Sequence, residues 1–487
     1  MRIERVSTGV EGLDEILDGG LPKDHAYMIQ GEAGTGKTTL GFQFLLAGAA
    51  RGEKGLYISI LQSKADIEEM AASHGWDLSG IDVEILTTEA MDEARLNQQT
   101  LLPSSEIQLN EVLKAVEAAV KKIAPTLVVF DSIEQFRLIA GEQKIYQQKA
   151  MNLLALFDHW GVTSLFLHTA EEQSGFRTLA HGVIVLELEL PPMGGLRRTL
   201  AVHKMRNIHF SGGRYSYRIR SGGLVVYPPL PLIAAGDDGS PYTVVPSGNP
   251  ELDTMLEGGV QRGTACLLAG ASGTGKSCIA ILYAYQMAVE GEHVAVFIFD
   301  EQIRTYKERA KRMNMDFTPL IEKGLVDFIQ VNVGDFSAGE LGHMMRTFVE
   351  NNKSSLVVID SISGYSNSMP GESMLIAHLH DILSYLSRKK VLTLMVLTEH
   401  GLFSEEKGDI DVSYIADSVI MLRRFEARGE IRLAVSVVKK RIGGHERTIR
   451  ELQLTSEGVK VGEPIHEFEA VLTGQPRFVG RNKNLME

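Results

Sequence analysis

Short, almost wholly apolar runs recur along this chain, separated by longer stretches in which apolar positions return every three or four residues. In the N-terminal part the runs are 55–60, 126–130 and 163–168, with 200–203 later; in the C-terminal part they are 294–299, 355–359 and 392–397, with 432–438 later. Runs without polar alternation suit strands buried on both faces, and the periodic segments between them suit helices packed over those faces. The alternation predicts an α/β fold with mainly parallel sheets, and both parts finish in β-rich sequence.

The two parts are one pattern written twice. STGVEGLDEILDGGLP at 7–22 is echoed by PSGNPELDTMLEGGV at 246–260. Gly9 pairs with Gly248, Leu13 with Leu252, Asp14 with Asp253, Gly19 with Gly258 and Gly31 with Gly270, always at an offset of 239. A constant offset through a leader of roughly 30 residues argues for duplication of a whole domain. The joint falls in YPPLPLIAAGDDGSPY, 227–242, whose Pro, Gly and Asp content suits an extended surface linker. The organisation read from this is a first domain over 1–228, a linker over 229–245, a second domain over 246–472 and a short tail over 473–487. At about 150 residues per domain, 487 residues predict roughly three domains or two larger ones, and the repeat favours two.

Composition narrows the partners. With 49 Lys and Arg against 62 Asp and Glu the net charge is −13, so a nucleic-acid backbone is disfavoured unless basic residues gather on one surface. No apolar run approaches the length of a membrane span and the N-terminus lacks a secretory signal, so a cytoplasmic protein is expected. The 2 cysteines, Cys266 and Cys278, have no metal-ligand spacing and read as small buried apolar residues.

Chemistry enters after the first buried strand of each half. Gly31 to Thr38 reads GEAGTGKT and Gly270 to Ser277 reads GASGTGKS, both fitting GxxxxGK[ST] in strand–loop–helix context. The glycines, Gly34 and Gly36 or Gly273 and Gly275, let successive backbone N–H groups face one point, with Thr35 and Thr274 between them. Lys37 and Lys276 reach the β/γ-phosphates of ATP, and Thr38 and Ser277 ligate Mg²⁺. Thr39 and Cys278 follow on the first helical turn as further contacts. The runs ending in Asp131 and Asp360 supply the carboxylate that holds the metal's water shell. A residue that orients or deprotonates the attacking hydroxyl is also needed, and here the halves part. The second places Asp300 and Glu301 after its strand; the first places Gln62, which can hydrogen-bond a water but cannot take its proton.

These residues together resemble the KaiC family of tandem RecA-like ATPases, over nearly the whole chain. A late basic strand adds to the likeness: Lys204 and Arg206 in the first half, Lys439 and Arg441 with His445 and Arg447 in the second. The resemblance implies a homohexamer of two stacked rings with ATP between protomers, those cations reaching a neighbour's nucleotide, and a KaiB-like regulator among the partners. It implies that the first domain assembles the ring and the second carries serine autophosphorylation. Ser413 matches the family's phosphoacceptor serine, whereas Tyr414 and Ala416 replace further hydroxyl residues. The tail stops at Glu487, and no long heptads are present to couple two hexamers. Two other classes compete with the ATPase and autokinase reading. A DNA-handling RecA-like motor needs basic loops, yet the loops at 174–177 and 401–411 carry little excess positive charge. A nucleotide-gated assembly platform without turnover is supported by Gln62 for one half alone.

Overall fold

In the computed structural model the described residues are 3–60, 62–86, 104–140, 142–169, 176–190, 195–231, 241–332, 336–366, 372–399, 412–427, 429–472 and 477–479. The loop region 401–411, residues 174–175 of the other loop weighed for nucleic-acid contact, and most of the tail lie outside them. Contacts divide the chain into Met1–Pro229 and Leu230–Glu487, each described by itself.

The first unit carries one nine-stranded sheet. Its strands are β1 (Ala26–Gly31), β2 (Gly55–Ser59), β3 (Ile81–Ile85), β4 (Leu127–Asp131), β5 (Thr163–His168), β6 (Gly182–Glu189), β7 (Arg197–Met205), β8 (Arg214–Arg220) and β9 (Gly223–Val226). The spatial order is β9-β8-β7-β6-β1-β5-β4-β2-β3. β1 to β6 pair in parallel, and β7, β8 and β9 extend the edge antiparallel. β1, β2 and β5 are buried at every position, as expected of parallel strands covered on both faces. Two apolar clusters, one around Phe42, Phe44 and Tyr57 and one around Phe130, Phe157 and Phe166, fill the two sides.

The second unit repeats the topology. Its strands are β10 (Ala265–Gly270), β11 (Val294–Ile298), β12 (Val326–Gln330), β13 (Leu356–Asp360), β14 (Leu392–Thr398), β15 (Ser418–Ala427), β16 (Glu430–Lys440), β17 (Arg450–Thr455) and β18 (Gly458–Pro464), in the order β12-β11-β13-β14-β10-β15-β16-β17-β18. Two nine-stranded, mostly parallel sheets flanked by helices are the α/β architecture that the hydrophobic pattern pointed to, and they match the tandem RecA-like domains that the resemblance implied. In each sheet the central strand β1 or β10 leads into the Gly-rich loop and then into helix α1 (Lys37–Ala50) or its counterpart, so the loop sits at the carboxyl ends of the parallel strands. These helices start at the lysine because Gly36 and Gly275 adopt left-handed backbone and end the loop there.

The duplicated leader is a packing device. In the first half Asp14 accepts hydrogen bonds from the Ser7 hydroxyl (2.5 Å), the Thr8 N–H (2.9 Å) and the Thr8 hydroxyl (2.6 Å). In the second, Asp253 accepts from the Ser247 N–H at 2.6 Å, and Asn249 caps the helix Pro250–Met255. Gly12 has φ 81°, and a Cβ there would stand 2.0 Å from the Val226 carbonyl oxygen. The leader thus closes down on β9. Val244–Val245, at the end of the expected linker, forms a two-stranded ladder with Val260–Gln261.

Candidate functional site

The first loop is held open by its own side chains. Thr35 is buried and its hydroxyl donates to the Glu32 carbonyl at 2.8 Å, so its side chain shapes the loop and leaves ligand contact to its backbone. Gly34, at φ 80°, has nothing within 4 Å of where a Cβ would lie; Gly36, at φ 90°, would press a Cβ on Ile219 Cδ1 at 2.8 Å. Lys37 Nζ donates to the carbonyls of Gly31 (2.7 Å) and Glu32 (2.9 Å), and burial lowers its pKa against the opposing pull of Asp131 and Glu32. Thr38 Oγ1 donates to Asp131 Oδ2 at 2.9 Å, which brings the two expected metal residues together. Thr39 is buried behind them.

One residue that the sequence left in the core joins this cluster. Tyr57, on β2, is fully buried and stacked on Phe42 with ring centroids 4.2 Å apart. Its hydroxyl donates to Asp131 Oδ2 at 2.5 Å and lies 3.3 Å from Gln62 Oε1. Burial first, and the Asp131 charge second, hold its pKa well above the ordinary value, so the phenol stays a proton donor. A tyrosine in an apolar strand reads as packing; only the strand's alignment beside β4 reveals the contact.

In the second loop Thr274 repeats the internal bond, to Ala271 at 2.9 Å, and Gly273 and Gly275 have φ 74° and 97°. Lys276 Nζ donates to the Ala271 carbonyl at 2.7 Å, and burial lowers its pKa to about 8. Ser277 hydrogen-bonds Asp360, whose pKa burial raises to about 6. Asp360 Oδ2 is buried, with no hydrogen-bond partner among the described residues. A buried carboxylate oxygen without a donor, beside the loop serine, fits a hydrated Mg²⁺, as does the Thr38–Asp131 pair in the first half. Cys278 is buried on the first turn of α2 (Lys276–Val289), its thiol pKa raised by burial. It also lines a cleft of about 620 Å³ with Arg304, Thr305, Glu308, Met313 and Leu454.

Asp300 and Glu301 stand at the end of β11. Asp300 Oδ2 accepts from the Ser361 hydroxyl. Glu301 is ion-paired with Arg309, two turns along α3 (Ile303–Arg312), and Arg309 lies 5.2 Å over the Tyr306 ring. From β15 Arg424 donates to the Ser272 carbonyl at the loop apex. Arg309 and Arg424 were not singled out by sequence, since one sits on an exposed-looking helix and the other in an ordinary strand. At the same offset of 239, Arg309 answers to Met70 and Glu301 to Gln62, so the halves are chemically unequal.

The basic strands do not reach this chain's own loops. Lys204 pairs with Val183 near the start of β6, and its Nζ donates to the carbonyls of Arg177 (3.2 Å), Thr178 (2.7 Å) and Ala180 (2.7 Å). Arg206 donates to Thr178 at 3.1 Å. Lys439 Nζ donates to the carbonyls of Ser413 (2.9 Å) and Ala416 (2.7 Å), and Arg441 to Asp417 (3.0 Å) and the Tyr414 carbonyl (2.5 Å). All four cations therefore lie at the amino ends of the parallel strands, opposite the phosphate loops. Ser413 and Tyr414 are exposed in the turn before β15, at that same end, and His445 and Arg447 lie in the segment joining β16 to β17.

Two RecA-like sheets, each with a GxxxxGK[ST] loop, an aspartate ending a neighbouring strand and a strand-end polar residue, define a tandem P-loop ATPase. The family model for the KaiC ATPase matches residues 6–230 and again 245–466, and the chain belongs to that family. It is 25% identical to the circadian clock protein KaiC3 of Synechocystis sp. over 489 residues, covering 99% of this chain and 96% of that protein. It is also 25% identical to the circadian clock oscillator protein KaiC of Picosynechococcus sp. over 492 residues (97% and 92%) and 28% identical to the circadian clock protein KaiC2 of Synechocystis sp. over 486 residues (97% and 84%). The match favours the ATPase reading over a DNA motor or an inert platform. Among the described residues no helix is long and apolar enough to cross a membrane.

Proposed function

We propose that the chain forms a homohexamer of two stacked rings with MgATP at the subunit borders, and that the second domain hydrolyses ATP and phosphorylates Ser413 of the neighbouring subunit. The observation that carries this reading is the placement of Ser413, Lys439 and Arg441 at the opposite end of the sheet from Lys276, matched by Lys204 and Arg206 against Lys37 in the first half. A loop and an acceptor at opposite ends of one sheet cannot meet in one chain, but adjacent copies around a ring bring them face to face.

In this reading the backbone N–H groups around Gly273 and Gly275, with Lys276, bind the phosphates, and the nucleoside end takes the cleft beside Cys278 and Arg304. Ser277 and, through water, Asp360 would hold a Mg²⁺ ion, whose charge would offset that of the phosphates. Asp300 or Glu301 accepts the proton of the attacking hydroxyl. The Ser413 oxygen then bonds to the γ-phosphorus, and the bond to ADP breaks with the electron pair leaving on ADP. With water as the acceptor, the same groups give ADP and phosphate. Lys439, Arg441, His445 and Arg447 meet the neighbour's nucleotide in the second ring, Lys204 and Arg206 in the first, and a KaiB-like protein is the regulatory partner.

The test mixes two full-length variants before MgATP is added. Lys276→Ala has an empty second loop and an intact acceptor; Ser413→Ala has the reverse. Phosphate on Ser413 by mass spectrometry in the mixture, and in neither variant alone, is the expected result. Wild type without phosphate on Ser413, or with it while the mixture has none, would overturn the reading.

A further inference from the structure

The first site lacks a carboxylate at the place of Glu301, yet its strand β2 carries hydroxyls at two positions where β11 of the second site has none. Tyr57 answers to Val296 and Ser59 to Ile298 at the offset of 239, so nothing equivalent touches Asp360 from β11. Ser59 fixes the backbone of Gln62 from both sides: its Oγ accepts from the Gln62 N–H at 3.0 Å and lies 3.3 Å from the Gln62 carbonyl. Tyr57 then acts on the side chain.

The phenol has one proton to give. The carboxylate oxygen Asp131 Oδ2, at 2.5 Å, takes it in preference to an amide oxygen at 3.3 Å. Two oxygens left facing each other without a proton repel, and the Gln62 amide relieves this by a half-turn about its last torsion, which exchanges its two nearly isosteric ends. Nε2–H then donates to the phenolic oxygen, and Oε1 faces away from Tyr57 as an acceptor. Asp131 Oδ2 remains shared with Thr38 at 2.9 Å, so one chain of hydrogen bonds runs from the metal-binding hydroxyl to the amide.

We infer that Tyr57 is a positioning residue that turns the Gln62 carbonyl oxygen toward a water at the first site, giving that site slow ATP hydrolysis without a general base. Water oxygen bonds to the γ-phosphorus, the bond to ADP breaks with its electron pair on ADP, and the water's proton passes to a phosphate oxygen. Gln62 accepts a hydrogen bond and takes no proton, the role a glutamine fills where it orients an attacking water. The inference rests on the proposal that the first loop holds MgATP, and goes beyond it by assigning a water-orienting pair there.

The experiment uses the full-length chain carrying Lys276→Ala, so that only the first site works, and measures equilibrium binding of labelled ATP beside single-turnover hydrolysis. Tyr57→Phe keeps the ring on Phe42 and deletes only the hydroxyl; Gln62→Ala deletes the amide. The expected result is unchanged ATP affinity in both, hydrolysis slowed by about tenfold in each, one ordinary hydrogen bond's worth, and a double variant no slower than Gln62→Ala alone. Hydrolysis by Tyr57→Phe at the parent rate, or losses that multiply in the double variant, would overturn the inference. Failure of the parent to bind ATP would instead overturn the reading beneath it.

Discussion

Gln62 and Glu301 occupy one structural place in two copies of one fold, and each is held by a neighbour its counterpart lacks. Glu301 faces Arg309 and Gln62 faces Tyr57, whereas Met70 and Val296 stand in the corresponding positions. Burial acts on single residues elsewhere too. Cys266 is fully buried in β10 and its thiol pKa is pushed up to about 12 by burial first and Asp417 second. At pH 8 roughly one such thiol in ten thousand is the reactive thiolate. Thiol reagents should therefore leave Cys266 unlabelled in the folded protein and label it on denaturation, as peptide mapping would show; prompt labelling under native conditions would contradict the burial.

Among the elements, the parallel strands were the most legible part. Their runs have no polar interruption because both faces are covered, and 163–168 and 392–397 reappear almost unchanged as β5 and β14. The phosphate loops and the aspartates ending β4 and β13 were legible for a related reason, since their chemistry is set by residues adjacent in sequence. What was not legible depends on register between distant segments. The contact of Tyr57 with Asp131, the position of Lys204 opposite Lys37, and the Arg424 contact on the second loop follow from strand pairing that no local spacing encodes. The leader shows how tight such contacts are. Gly12→Ala would push a methyl group into the Val226 carbonyl from a left-handed backbone, so a loss of about 2 kcal/mol or more is expected. Denaturant unfolding reads it, and an unchanged midpoint would mean that the leader does not pack on β9.

For the whole molecule, membership of the KaiC family and the opposed placement of loops and basic strands argue for nucleotide at the contacts between chains. A ligand that binds only the assembled state stabilises it by mass action. MgATP should therefore shift sedimentation from monomer to hexamer in wild type and much less in Lys37→Ala; identical monomer populations with and without MgATP, in both proteins, would exclude ATP-linked assembly.

The central claim is that two similar folds run unequal chemistry, with the Asp300 and Glu301 site performing most turnover and the Gln62 site holding ATP far longer. Loss of a general base typically costs about 10²–10⁴-fold. The most direct measurement is steady-state ATPase of Glu301→Gln beside Lys37→Ala, in fractions confirmed as hexamers. The account predicts that Glu301→Gln loses most of the activity while Lys37→Ala keeps most of it; equal losses in the two, or the larger loss in Lys37→Ala, would contradict it.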